Sequence, residues 1–253
     1  MLRQALVLWC LRAAAAVVVD ITDAGDAAPL RQLAARPRVR QLLDANDKLR
    51  SLGLDASFDF PRIVVLGDQS AGKSSVLEAI SGVQLLRGTG VVTRAPIELR
   101  LAAAPKGSDC RATVDADGVA PVAVPCARIG EALNATMRAL PSLKPGAAGT
   151  RRGVTDAPVR LRVAAPGAPD LTLVDLPGLA RVATEGQARD VPELTRRLAI
   201  SYAAAPASLL LVVVACNADL ATADALRLAA EADPDGSRTV GVLTKPDLMD
   251  PGT

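Results

Sequence analysis

With 253 residues, half of them apolar and 22% charged, the chain has the makings of one large globular domain or two small ones. A net charge of +2 and an aromatic content of 2% exclude a general electrostatic drive toward nucleic acid and the stacking platforms that hold single strands. The absence of histidine excludes Ser-His-Asp triads, histidine-ligated zinc and imidazole acid–base chemistry, so any catalysis runs on carboxylates, hydroxyls, lysine, arginine, backbone dipoles or a bound metal.

No run reaches the roughly 18 consecutive apolar residues of a membrane-spanning helix. Residues 1–19 contain Arg3 and Arg12 and no acid, and residues 5–19 are mostly apolar. That is the composition of an organelle-targeting peptide, of the buried start of a helix, or of a misplaced gene start. Residues 1–37 therefore read as an extension, with a linker at 20–36. From Val39 to Leu52 the apolar residues Val39, Leu42, Leu43, Leu49 and Leu52 fall mostly on one helical face before Gly53, which predicts an amphipathic helix outside the main sheet.

The short apolar run Ile63–Leu66 predicts a buried parallel strand, followed by a glycine-bearing turn and a helix over Ser74–Ile80. Further strands are predicted at Ile97–Leu101, Val159–Val163, Leu171–Val174, Leu209–Ala215 and Val240–Leu243, with an alanine-rich helix over 221–232. Strands alternating with helices give an α/β sandwich around a mostly parallel sheet. Residues 102–128 read as an insertion with loose β character, and 144–153 as a mobile Pro/Gly/Arg-rich loop. No fixed-period repeat is present. The cysteines Cys10, Cys110, Cys126 and Cys216 form no CxxC pair; the expectation is reduced thiols in a cytosolic-type compartment, with a Cys110–Cys126 bridge open in an oxidising one.

The chemistry concentrates in four places. Gly67-Asp68-Gln69-Ser70-Ala71-Gly72-Lys73-Ser74 fits the phosphate-loop pattern G-x-x-x-x-G-K-[ST] between a strand and a helix. Its glycines let backbone N–H groups wrap an anion at a helix N-terminus, Lys73 extends to the β- and γ-phosphates, and the Ser74 hydroxyl suits Mg²⁺. Asp175-Leu176-Pro177-Gly178 follows a strand, which puts a carboxylate where it steers Mg²⁺ and a backbone N–H where it meets the γ-phosphate. Thr244-Lys245-Pro246-Asp247 offers a carboxylate for both N–H groups of a guanine edge and a lysine stem for its face, against an ATP-using alternative. The stretch Arg87–Arg94 is glycine-rich and ends in Thr93, as a γ-phosphate-ordered switch does.

At these residues the sequence resembles the dynamin superfamily: 67–78 is similar to its phosphate loop, 87–94 to its switch I, 170–179 to its switch II and 233–250 to its guanine-recognition segment. The likeness runs over 38–253 and leans toward the Mx branch. It implies a P-loop NTPase three-layer sandwich, with 57–253 a dynamin-type G domain and 38–56 the first helix of a neighbouring helical bundle. It implies that Gln69 orients the attacking water, that Ser70 helps hold a monovalent cation (K⁺ or Na⁺), and that Lys73, Thr93 and Gly178 complete the catalytic set. Mg²⁺ is expected on Ser74, Thr93 and Asp175. GTP contacts are expected from Gly67 through Ser75, that is Gly67, Asp68, Gln69, Ser70, Ala71, Gly72, Lys73, Ser74 and Ser75. Further contacts are expected from Arg87, Gly88, Asp175, Gly178, Thr244, Lys245, Asp247 and Asp250. Asp219 matches a residue that crosses a G-domain dimer interface. The implied partners are GTP or GDP and a second G domain, with no nucleic acid. Membrane or microtubule association is expected only through other regions, and the location implied is the cytoplasm. Leu86 replaces a proline the family commonly has before the switch I arginine, and 102–128 matches no family segment. The sequence stops just after the guanine motif, from which low stability and weak nucleotide affinity are expected.

Overall fold

The computed structural model of the chain describes residues 61–83, 85, 93–143, 153–166, 168, 171–180, 188 and 190–249. The expected helix at 39–52, the extension at 1–37, Arg87, Gly88, Asp250 and nearly all of the 144–153 loop lie outside the described residues.

Among the described residues eight strands form one sheet: β1 (Arg62–Gly67), β2 (Ile97–Ala104), β3 (Arg111–Ala116), β4 (Val119–Pro125), β5 (Val159–Pro166), β6 (Leu171–Asp175), β7 (Ser208–Ala215) and β8 (Thr239–Thr244). Their order across the sheet is β4-β3-β5-β2-β6-β1-β7-β8. The block β6-β1-β7-β8 is parallel throughout, β2 joins it antiparallel to β6, and β5 runs parallel to β2. This is the predicted α/β sandwich of a P-loop GTPase domain, with its parallel block under the phosphate loop.

Among the described residues four α-helices cover the sheet. α1 (Lys73–Ser81) and α2 (Ile129–Ala139) lie on one face, α3 (Val191–Ala203) and α4 (Asp224–Ala232) on the other. The central strands are apolar on both sides because both sides are buried. Val65 and Val213 pack under α1 and α2 with Leu77 and Leu133, while Val64, Leu66 and Val212 pack under α3 and α4 with Ala199, Ala203 and Leu226. Helices α2 and α3 are additions to the sequence reading. The signal for α2 was present, since Ile129, Ala132, Leu133, Thr136 and Met137 recur at helical spacing and are its buried residues.

The insertion at 102–128 is more ordered than its composition suggested. β3 and β4 form an antiparallel hairpin around Asp117-Gly118, with Gly118 at φ +77°, and β3 extends the sheet from β5. Asp-Gly between two strands is a hairpin signal, and here Gly118 supplies the one left-handed position of the turn. The hairpin brings Cys110 opposite Cys126 at a Cα separation of 5.5 Å, and they are joined by a disulfide. This corrects the expectation of reduced thiols at these two positions: strand pairing places them across a closed ladder, with the Cys126 N–H donating to the Cys110 carbonyl. Cys216 is a free thiol.

Candidate nucleotide site

β1 ends at Gly67 and the chain turns through Asp68–Gly72 into α1. Ser70 at φ +64° and Gly72 at φ +96° are both left-handed. Such a conformation costs a non-glycine residue free energy and persists where the surroundings hold it. The N-cap of α1 has no side-chain cap hydrogen bond and its first turn carries no acid, so its N–H groups and positive dipole end face the turn.

Lys73 is buried. Its Nζ donates to the Gly67 carbonyl at 3.1 Å and to the Asp68 carbonyl at 3.3 Å, folding the ammonium back over its own loop. Burial lowers its pKa, opposed by the charges of Asp175 and Asp68. An ammonium has three donors, and a phosphate oxygen suits the direction these carbonyls leave open.

Asp175 ends β6 beside β1, paired in register with Val65. It is 2% exposed, and its Oδ2 accepts from Thr93 Oγ1 at 3.0 Å. Its Oδ1 is buried without a hydrogen-bond partner. Burial pushes its carboxyl up to about 6, against the pull of Lys73 and of the Thr93 hydrogen bond. A buried, unmatched carboxylate oxygen beside a hydroxyl is a donor set that fits a hard divalent cation, and half-buried Ser74 at the head of α1 supplies another oxygen of that kind.

Gly178 closes against the loop. A Cβ there would lie 3.0 Å from Gln69 Cα and 3.1 Å from Lys73 Nζ, so only glycine fits without displacing the loop. The loop and this segment are also tied by the Leu179 N–H, which donates to the Gly67 carbonyl at 3.3 Å. Gln69, Ser70 and Ser75 are exposed.

At the end of β8, Thr244 Oγ1 donates to the Ala71 carbonyl at 2.5 Å and lies 3.3 Å from the Val214 carbonyl. Lys245 follows at φ +57°, a left-handed position, and Pro246–Leu248 form a 3₁₀ turn with Asp247 exposed. Asp219 is exposed in the loop after β7, where its Oδ1 accepts from the Ala221 N–H at 2.9 Å. The structure thus brings Gly67–Ser75, Thr93, Asp175, Gly178 and Thr244 together; Arg87, Gly88 and Asp250 lie outside the described residues. The sequence reading did not single out Arg94, Gly153 and Thr155, which anchor the chain beside Thr93. Arg94 Nε donates to the Gly153 carbonyl at 3.1 Å, and the Thr155 N–H donates to the Arg94 carbonyl at 2.9 Å.

A family profile described as "Dynamin family" matches residues 63–246. The chain is 44% identical over 216 residues to "Interferon-induced GTP-binding protein Mx" of Epinephelus coioides, covering 85% of this chain and 33% of that protein. It is 43% identical over 216 residues to the protein of the same name in Perca fluviatilis, covering 85% of this chain and 69% of that one. With "Interferon-induced GTP-binding protein Mx3" of Rattus norvegicus the identity is 44%, over 85% of this chain and 32% of the relative. The chain thus spans about a third of the length of two of these three relatives.

Proposed function

The chain belongs to the dynamin family, and we propose that it binds GTP at the Gly67–Ser75 loop and hydrolyses it to GDP and phosphate. The observation that carries this reading is Asp175: a fully buried carboxylate with an unmatched oxygen, facing Lys73 and Thr93 at the mouth of a phosphate loop. A carboxylate held this way is destabilised until a cation and its ligands arrive.

The reaction forms a bond from a water oxygen to the γ-phosphorus and breaks the bond from that phosphorus to the β–γ bridging oxygen. Negative charge grows on the bridging oxygen as GDP leaves. The uncapped N-terminus of α1 and its dipole face that charge, and Lys73 Nζ neutralises it. Gln69 orients the water, and Gly178 and Thr93 help fix its position. Ser70 would help hold a monovalent cation. Ser74, Thr93 and Asp175 would hold Mg²⁺, which when bound would supply charge neutralisation for the phosphates. Asp247 accepts from the guanine N–H groups and Lys245 lies along the base, which selects GTP over ATP. Arg87, Gly88 and Asp250 add contacts to the nucleotide.

Self-association through the G domain, with Asp219 at the interface, stimulates turnover. The relatives' names, interferon-induced GTP-binding proteins called Mx, favour an Mx-like role; a membrane-remodelling role, a cytoplasmic location and membrane or microtubule contact outside this domain belong to the same reading by resemblance to the family. The test is phosphate release from GTP and from ATP at two protein concentrations. GTP-specific turnover that rises with concentration and is lost in Lys73→Ala and Gln69→Ala is the expected result. Equal use of ATP, or turnover indifferent to both substitutions, would reject the reading.

A further inference from the structure

Thr93 is four residues ahead of Ile97, where β2 begins opposite Asp175. An antiparallel strand prolonged straight from Ile97 would carry residue 93 past the end of β6. Thr93 instead lies back on Asp175, with Ala95 fully buried between. The sheet does not impose this return, so the backbone hydrogen bonds of 93–96 must go elsewhere. They go to β5 and to the segment just before it: the Pro96 carbonyl accepts from the N–H of Val159, the first residue of β5, at 2.8 Å, and the Arg94 carbonyl from the Thr155 N–H at 2.9 Å. The Arg94 guanidinium adds a bond to the Gly153 carbonyl.

That segment is itself held by one buried hydroxyl. Thr155, 3% exposed, donates from Oγ1 to Ser142 Oγ at 2.8 Å and accepts from the Ala157 N–H at 3.2 Å. It therefore ties the turn after α2, the start of β5 and the approach to β2 together at one point.

We infer that Thr155 is a positioning residue for the triphosphate state: by fixing the 153–157 turn it holds Arg94, and through Arg94 it holds the Thr93 hydroxyl against Asp175. The inference rests on the GTPase reading above. Thr155 touches neither Thr93 nor Asp175 by any hydrogen bond described, and its effect passes through the backbone. Because a diphosphate does not call on a switch threonine, the effect falls on GTP and not on GDP.

The experiment measures the affinities of a non-hydrolysable GTP analogue and of GDP, each with Mg²⁺, for the whole chain and for Thr155→Val, Thr155→Ser, Ser142→Ala, Thr93→Ala and the double variant Thr93→Ala/Thr155→Val. Thr155→Val is expected to lose about tenfold in affinity for the GTP analogue with GDP affinity kept, as a sub-ångström displacement of a positioning group does. Thr155→Ser restores the parent value, and Ser142→Ala gives a smaller loss in the same direction. In the Thr93→Ala background Thr155→Val adds nothing, since residues that act through one group are not additive. Equal loss for both nucleotides, or additive losses in the double variant, overturns the inference and reduces Thr155 to a fold contact. Should Thr155→Val misfold, the half-buried Ser142→Ala decides by the same ratio. A parent chain that binds neither nucleotide overturns the GTPase reading and this inference with it. A parent that binds and hydrolyses GTP, with Thr155→Val unchanged, overturns this inference alone.

Discussion

Asp175→Asn is predicted to stabilise the nucleotide-free protein at neutral pH while removing Mg²⁺-dependent turnover. The Asp175 carboxyl titrates at about 6 in the fold against 3.8 in an unperturbed side chain, chiefly because burial disfavours its charge. The folded protein therefore binds this proton more tightly than the unfolded chain does. The associated stability is complete below about pH 3.8 and is lost as pH rises through 6. A difference of roughly two units corresponds to about 3 kcal/mol once both states are ionised. By pH 5 the unfolded state has already released most of its proton, so about half of this remains to be lost between pH 5 and pH 8, nearly all of it by pH 7. Asparagine keeps an acceptor for Thr93 and does not titrate. Urea denaturation of the two proteins at pH 5, 6, 7 and 8 should show the asparagine variant gaining on the parent by that amount across the series. Mg²⁺ with GDP should reduce the gap, because a divalent charge favours the carboxylate. A stability difference between the two proteins that is the same at pH 5 and pH 8 would refute the assignment of Asp175 as a buried, uncompensated charge.

Gly178→Ala places a methyl 3.0 Å from Gln69 Cα, so the loop must yield by a few tenths of an ångström; a drop of about tenfold in kcat is expected from steady-state phosphate release, with little change in the urea midpoint. Arg238 donates to the carbonyls of Ala203, Ala205, Ser208 and Ala232, and it sits beside the buried carboxylate of Asp233. Arg238→Met removes these four donations and the cation beside Asp233, whose carboxylate keeps the Thr239 hydroxyl and the backbone N–H of residue 238 as donors; a loss of about 3 kcal/mol is expected in urea unfolding. Reduction of Cys110–Cys126 releases the β3–β4 hairpin at the far edge of the sheet; it should lower stability by at most about 3 kcal/mol, read from thermal melts with and without reductant, and leave GTP turnover unchanged. Alkylation of both thiols in unreduced protein would refute the bond.

The parallel block of the fold was legible because its strands are buried on both faces. Ile63–Leu66, Leu171–Val174 and Leu209–Ala215 are continuous apolar runs, and a run of that kind between glycine-bearing turns has few other uses. The phosphate loop was legible because its chemistry is backbone chemistry, which fixes where glycine must stand: Gly72 takes a positive φ and Gly178 has no room for a Cβ. The outer strands were less legible. β4 presents Pro121, Val122 and Ala123 to solvent, so its sequence lacks the alternation that marks a half-buried strand. The anchor of Thr93 was not legible at all. Arg94 and Thr155 meet through a backbone carbonyl and a backbone N–H, and a contact of that kind leaves no residue type behind to recognise.

The two ends of the site differ in how they are read but not in how they are held. The base-reading motif would be separate from the phosphate loop if β8 merely ended nearby. Thr244 prevents this: its hydroxyl donates to the Ala71 carbonyl inside the loop, while its own carbonyl accepts from the Cys216 N–H at 2.7 Å. Gly72 faces the same side chain, with its missing Cβ position 3.3 Å from Thr244 Oγ1. Lys245 then leaves this fixed point in a left-handed conformation that aims the next turn away from the strand. The loop that grips the phosphates and the turn that carries Asp247 therefore share one hydrogen-bonded hinge point, and displacement at either end strains the other. On the proposed reading, guanine selection and phosphate chemistry are coupled through Thr244, whose hydroxyl ties the two segments together.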